Sequence, residues 1–250
     1  MSISIVINTY NAQTHLAEVL ESAKMFDETV VCDMESTDKT IEIARRYNCK
    51  IVTFPTANHK SAEPARTFAI QSASSKWVLV VDADEVITKE LRDYLYEQIK
   101  TPNCPAGMYI ARHNKFIGEY SKDWSRDYQL RFFIKEGTVW PPYVHTFPQV
   151  QGRVVYAPAK YKLQHLADET MRQWVTKMNE YTDNEVNKKA DRNYGILTLM
   201  WRPMWAFFRA YILRGGFLMG KRGFISAKLS ATYQTVAISK ILEKRLREKL

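Results

Sequence analysis

The chain has 250 residues, 46% hydrophobic and 25% charged, which suits one ordinary globular domain with an appendage and excludes a disordered or repeat protein. Its net charge of +9 is localised: residues 201–250 hold eleven Lys and Arg against two Glu, while residues 1–200 balance at twenty-five of each sign, which argues against an all-over nucleic-acid binder and for a local contact with something anionic. The three cysteines, Cys32, Cys49 and Cys104, are too scattered for a disulfide framework or a zinc site, and the opening Met1-Ser2-Ile3-Ser4 lacks the basic stretch of a secretory leader, so a cytoplasmic body is expected.

In chain order, apolar β-rich runs at Ile3–Ile7, Thr29–Asp33, Lys50–Phe54 and Trp77–Val81 predict strands. Between them, Leu16, Val19, Leu20 and Ala23 keep helical spacing, Ser36 and Thr37 can cap a helix carrying Ile41, Ala44 and Tyr47, and Pro64 suits the first turn of a helix carrying Phe68 and Ala69. Such a βαβα alternation implies an α/β protein with a mostly parallel sheet, which takes ligands at the carboxyl ends of its strands. From about Gly107 the pattern changes to short strands at Met108–Arg112, Gln129–Ile134 and Arg153–Ala157, joined by loops such as Trp140-Pro141-Pro142-Tyr143. Helical periodicity returns at Asp168–Lys189, Ile196–Leu213 and Ile225–Arg247, broken at Gly215-Gly216.

Three strand ends carry candidate chemistry. Val78–Val81 runs into Asp82-Ala83-Asp84-Glu85, and two carboxylates spaced i, i+2 at a strand end suit a divalent cation, Mg²⁺ or Mn²⁺, which takes few protein oxygens and completes its shell with phosphate and water; the bland reading is a solvated acidic loop. Asp33 closes another strand before Ser36-Thr37-Asp38-Lys39-Thr40, where it could accept from a nucleobase N–H or serve only as a structural carboxylate. Asn8-Thr9-Tyr10-Asn11 ends the first strand with a ring that could stack on a base.

These runs in order, Ser4–Asn11, Val31–Thr40, Glu63-Pro64-Ala65-Arg66 and Val80–Asp84, resemble the motif series of family 2 glycosyltransferases, in particular the small enzymes that add glucose or a related hexose to lipopolysaccharide cores. The resemblance implies a GT-A nucleotide-sugar fold: a Rossmann-like donor half over residues 1–106, an acceptor half with a mixed sheet over 107–167, and C-terminal amphipathic helices over 168–250. It also implies an inverting, metal-dependent transfer from a UDP-sugar to a glycan or lipid-linked acceptor. Carried over position by position, Asn8 and Tyr10 line the base pocket, Asp33 meets the uracil, Arg66 approaches the donor phosphates, Asp82 holds the ribose or sugar and Asp84 binds the metal. Asp127, ahead of Arg131, stands at the acidic position expected of the catalytic base, its bland reading being a salt-bridged loop carboxylate. His145 stands where related enzymes place a His, completing the metal shell or acting as a structural hydrogen-bonder, with His165 a second choice. One departure concerns Asp33-Met34-Glu35-Ser36-Thr37-Asp38, because the family's third residue there is glycine.

In the tail, Trp201, Trp205, Phe208 and Ile212 form one helical stripe with Arg202 and Arg209 beside it. The apolar run is broken well short of the ~20 residues a bilayer span needs. A helix so built is expected to lie on the inner face of the membrane rather than cross it, or to pack on the catalytic body with a solvated basic face. Two other readings stay open: a nucleotidyltransferase, which would want a glycine-rich phosphate loop that Asn8–Gln13 lacks, and a non-catalytic membrane or nucleic-acid binder.

Overall fold

A computed structural model describes residues 1–56, 62–122, 127–143, 146–189, 192 and 194–248, with only the backbone of 187 and 188. The chain divides into two compact units, one made of residues 1–114 with 126–167 and the other of 115–125 with 168–250.

The first half runs β1 (Ile3–Thr9), α1 (Leu16–Ala23), β2 (Glu28–Asp33), α2 (Thr40–Arg46), β3 (Lys50–Thr53), α3 (Glu63–Gln71), β4 (Trp77–Asp82), β5 (Glu85–Ile87) and α4 (Lys89–Gln98). There follow β6 (Gly107–Phe116), β7 (Glu119–Tyr120), β8 (Asp127–Ile134), β9 (Val154–Tyr156) and β10 (Lys162–His165). The sheet order is β3-β2-β1-β4-β8-β6-β10-β5, with β9 also on β6. The first four strands are parallel, and β8 enters antiparallel to both β4 and β6.

Both faces of the parallel part are buried, as crossover helices require. Alternation along the strands sorts the core. Ile3, Ile5, Ile7, Leu79 and Val81 face Leu16, Leu20 and Leu91 of α1 and α4, whereas Val6, Val78 and Val80 face Ala65, Ala69 and Ile70 of α3. The expected strands and helices form, most with ends shifted by a residue or two; β6 runs four residues beyond the expected Arg112, the helix expected from Asp168 starts three residues later at Met171, and the one expected from Ile225 starts four residues earlier at Lys221. The helix α4 and the short strands β5, β7 and β10 were not foreseen: in β10, Lys162-Leu163-Gln164-His165 has one apolar residue in four.

Ser36 and Thr37 correct an expectation. The N-cap position of α2 is Lys39, and no side chain caps the helix. Ser36 instead binds the carboxylate of Asp33 through both its N–H and its hydroxyl, while its Oγ accepts from the Asn11 N–H at 2.9 Å, and Asn11 Oδ1 in turn accepts from the Thr37 N–H at 2.9 Å. With Ala12 N–H donating to Thr40 Oγ1 at 2.8 Å, the motif laces the loop after β1 to the loop after β2. Glu35, standing where the family has glycine, has φ of +62°, the left-handed region that glycine adopts without steric cost. The departure in sequence thus falls at a position whose backbone suits glycine, and Glu35 Oε2 accepts from the Thr56 N–H at 3.0 Å.

In the second unit the end of β6, Lys115 and Phe116, pairs with β7. Three helices make up the rest: α5 (Met171–Lys189), α6 (Ile196–Phe208), continued by a π-helical turn at Arg209–Leu213, and α7 (Lys221–Arg247), preceded by a 3₁₀ turn at Gly216–Met219. Their small core holds Tyr194, Ile238 and Ile241. At Gly223 an added Cβ would fall 1.7 Å from the Gly216 carbonyl oxygen, so the glycine is required where α7 crosses the preceding turn.

Candidate active site

The carboxyl ends of β1, β2 and β4 lie side by side, with Thr9 in register with Asp33 and Asn8 with Asp82. They open onto a cleft of about 580 Å³ whose walls include Asn8, Tyr10, Arg66, Asp82, Asp84 and His165. Tyr10, on the loop after β1, is 58% exposed, so its ring is available to a planar ligand.

Asp82 and Asp84 have different surroundings. Asp84 follows the end of β4, and β5 then turns back to pair antiparallel with β10, which sets His165 opposite Glu85. The Leu166 N–H donates to the Asp84 carbonyl at 2.7 Å, and His165 Nε2 comes to 3.2 Å from Asp84 Oδ2. Both side chains are partly exposed to the cleft. One carboxylate and one imidazole fit a hard divalent cation that takes its remaining oxygens from a diphosphate and water. Among the described residues no group of three or more His, Cys, Asp or Glu gathers as a closed metal cage, so this pair would be a partial ligand set. His145, the other expected ligand, lies outside the described residues.

Asp82 is committed to cations of the chain itself. Arg66 donates to its Oδ1 at 3.0 Å, and Arg131 reaches both oxygens, with a bond of 3.2 Å to Oδ1 and a shorter one to Oδ2. Burial pushes the Asp82 carboxyl up, but the two guanidinium groups outweigh it and hold its pKa far below the usual carboxylate range. Arg66 is 8% exposed, lies 4.5 Å from the Trp140 ring centroid, and has Nε and Nη1 buried without a hydrogen-bond partner among the described residues. Both polar atoms of the Asn8 side chain are likewise buried and unpartnered. Unsatisfied buried donors are costly, and here they belong to cleft-lining residues, which points to a ligand that satisfies them.

Asp33 reaches the same end of the sheet but is 2% exposed and is not among the cleft walls. Its oxygens accept from Thr9 Oγ1 at 2.9 Å and from Ser36, so its visible work is to fix the two loops below Tyr10.

Asp127 starts β8 at the edge of an ion-pair chain. Arg112 donates to its Oδ2 through Nε at 2.7 Å, Asn114 to the same oxygen at 3.2 Å and Gln129 to Oδ1 at 2.7 Å. Burial pushes this carboxyl up, and Arg112 together with the two amides brings it below its ordinary value. Arg112 Nη1 is also 3.6 Å from Glu85 Oε1, and Glu85 is 3.4 Å from Arg131, which closes on Asp82. Asp127, Arg112, Glu85, Arg131 and Asp82 thus alternate in sign, from Asp127, which is not among the cleft walls, to Asp82, which is. Glu85 is fully buried and accepts from the Asp82 N–H at 3.0 Å; desolvation and the neighbouring Asp82 charge push its carboxyl up against the pull of Arg131. Sequence reasoning passed over Glu85, Arg112, Arg131 and Trp140. A signal existed on β8, where Asp127, Gln129 and Arg131 recur at period two, although the register shift against β6 passes over Arg131 and interrupts the alternation there.

The profile for glycosyl transferase family 2 matches residues 4–155, more than half of the chain, taking in strands β2 to β4 and β1 from Ser4 onward. The chain belongs to this family. Glycosyl transferase family 2 relatives align along nearly the whole length. An uncharacterized glycosyltransferase of Rickettsia conorii is 28% identical over 265 residues, covering 99% of this chain and 92% of that protein. The lipopolysaccharide core biosynthesis glycosyltransferase LpsC of Rhizobium meliloti is 25% identical over 252 residues, covering 98% and 93%. Among solved structures, the mannosyltransferase PcManGT from Pyrobaculum calidifontis in complex with GDP-Man and Mn²⁺ superposes with a TM-score of 0.59 at 14% identity, covering 96% of this chain and 87% of that one. Residues 1–349 of S. aureus TarS in complex with UDP-GlcNAc give 0.52 at 14% identity, covering 100% and 92%. The fold is thus that of the GT-A glycosyltransferases, and the chain is a glycosyltransferase.

Proposed function

We propose that this protein is an inverting, metal-dependent hexosyltransferase that moves glucose from UDP-glucose onto a lipopolysaccharide core or another lipid-linked or cell-surface glycan, working on the inner face of the cell membrane. The observation that carries the reading is the convergence, in one cleft, of the Asp84–His165 pair with the unpartnered polar atoms of Asn8 and Arg66. Asp84 and His165 hold the cation, and Asn8 and Tyr10 take the base, over loops that Asp33 fixes. A bound cation would neutralise charge on the departing diphosphate. Arg66 offers its two unsatisfied N–H groups to the same phosphates, while Asp82 holds Arg66 and Arg131 in place and keeps its outer edge toward the ribose or sugar. Kinship with LpsC supports a lipopolysaccharide-type acceptor.

Asp127 is the proposed base. Its lowered pKa keeps it ionised throughout the neutral range, ready to take a proton from an attacking hydroxyl. Asp127→Asn is expected to bind UDP as the wild type does and to transfer at least about a hundredfold more slowly, the usual scale of a lost general base. The test is a panel of UDP-sugars, with and without Mn²⁺, assayed for UDP release by both proteins across pH; UDP-glucose is expected to be the best donor, and the deficit of the variant to hold at every pH at which the wild type is active. Equal rates for the variant would remove Asp127 from the role.

The tail supports a membrane surface as the working place. No residue of α6 is buried, and Trp201 is 54% exposed, Trp205 45% and Phe208 44%. Among the described residues no helix is long and apolar enough to cross a membrane. Exposed aromatics beside Arg and Lys suit the headgroup layer of an anionic leaflet.

A further inference from the structure

The helical unit contains a second concavity, of about 330 Å³, where the end of α5, the face of α6 and the middle of α7 meet. Its described walls include four cations, Lys189, Arg192, Arg202 and Arg209, with Trp201 and Trp205, and no carboxylate. The cations differ in how far they are already satisfied. Lys189 pairs with Glu185 at 2.8 Å, and Arg202 donates to the Tyr194 hydroxyl at 3.1 Å and lies 5.2 Å from that ring's centroid. The side chains of Arg192 and Arg209 have no hydrogen bond or ion pair among the described residues. Arg202 of α6 and Arg209, which opens the π-helical turn continuing it, are seven residues apart and both line the pocket, with the two exposed tryptophans, four apart, alongside.

We propose that this pocket binds the phosphate of an anionic membrane lipid, with Arg192 and Arg209 as the unpaired donors, Arg202 and Lys189 as the second pair, and Trp201 and Trp205 entering the headgroup layer beside it. The proposal rests on the membrane reading above and deepens it from a diffuse basic surface to one site. Guanidinium groups suit this ligand because their planar forks match phosphate oxygens, and the tryptophans argue for a lipid over a free anion because inorganic phosphate has no apolar part to meet them. A diffuse attraction would weigh every exposed Arg and Lys alike. A site weighs them by place.

The test is flotation of the full chain with vesicles of phosphatidylcholine alone or doped with phosphatidic acid, comparing Arg192→Gln/Arg209→Gln with Arg214→Gln/Lys221→Gln. The second pair removes the same charge from exposed positions of the same unit that do not line the pocket. Wild type is expected to float with the doped vesicles, the first double variant to bind at least about tenfold more weakly than the second, and both to retain UDP binding, which also checks their fold. Equal losses in the two double variants, or no flotation of the wild type, would overturn the site while leaving UDP release from the donor untouched. Failure of the glycosyl-transfer reading would show instead as absent UDP release in the wild type. A second arm separates the two sources of phosphate. Short-chain phosphatidic acid should change the tryptophan emission of the wild type and not of Arg192→Gln/Arg209→Gln, and an equal response to inorganic phosphate would reassign the pocket to a free anion and overturn the lipid proposal.

Discussion

Asp84→Ala is expected to lower sugar transfer about a thousandfold and to leave the fold intact. Asp84 sits just after the last residue of β4 with its side chain partly exposed to the cleft, and its side-chain contact is the 3.2 Å approach to His165. Its removal uncovers no buried cation, in contrast to Asp82, which neutralises both Arg66 and Arg131. The loss falls on function because Asp84 is the carboxylate by which the chain would hold a cation against the leaving diphosphate, and charge stabilisation of that kind is worth several kcal/mol, each 1.36 kcal/mol being tenfold in rate. His165→Ala is expected to be milder, since an imidazole is the weaker partner for a hard cation. UDP release assays on the purified variants, with thermal unfolding as the control, check both. An Asp84→Ala protein with more than about a tenth of wild-type activity would show that Asp84 does not hold the cation.

The largest effect on stability is expected at Arg131. It is 4% exposed and stands between Asp82, which is partly exposed to the cleft, and Glu85, which is fully buried and has no water to turn to. Arg131→Met keeps much of the volume and removes the charge, so two buried or half-buried carboxylates face each other; losing one partner of a buried pair costs about 3–5 kcal/mol. The pH dependence follows from Glu85, whose carboxyl already lies above its ordinary value of 4.5 and moves further up when Arg131 is gone. A group that binds its proton more tightly in the folded state stabilises that state at low pH and withdraws the stability as pH rises through the folded pKa. The deficit of Arg131→Met should therefore grow from about pH 5 upward, and Glu85→Gln added to it should recover part of the loss. Urea unfolding at two pH values measures this. A variant as stable as the wild type at pH 8 would show that the ion-pair chain contributes nothing to the fold.

How much of this was legible in the sequence depended on whether a residue's role is set by its own strand or by a neighbour far along the chain. The parallel strands were legible because Ile3–Ile7 and Val78–Val81 are apolar on both faces, and the cleft was legible because Asn8, Asp82 and Asp84 stand at their carboxyl ends. The pairing of Asp84 with His165 was not. It depends on β10, a strand with one apolar residue that is held by register with β5 and β6 rather than by its own pattern. Glu85 carries no role in the sequence because burial of a carboxylate is intelligible only once Arg112 and Arg131 are known to arrive from β6 and β8. Ser36 and Thr37 have the local pattern of a helix cap, but the competing partner, Asn11, lies on another loop.

The central claim is that one cleft grips a nucleotide diphosphate through a cation held by Asp84. Calorimetric titration of UDP into the wild type with and without Mn²⁺ tests it most directly. The expected result is binding at least about tenfold tighter with the metal, an enhancement of about 1.4 kcal/mol or more that disappears in Asp84→Ala. The same affinity with and without Mn²⁺, or an enhancement that survives loss of Asp84, would contradict it.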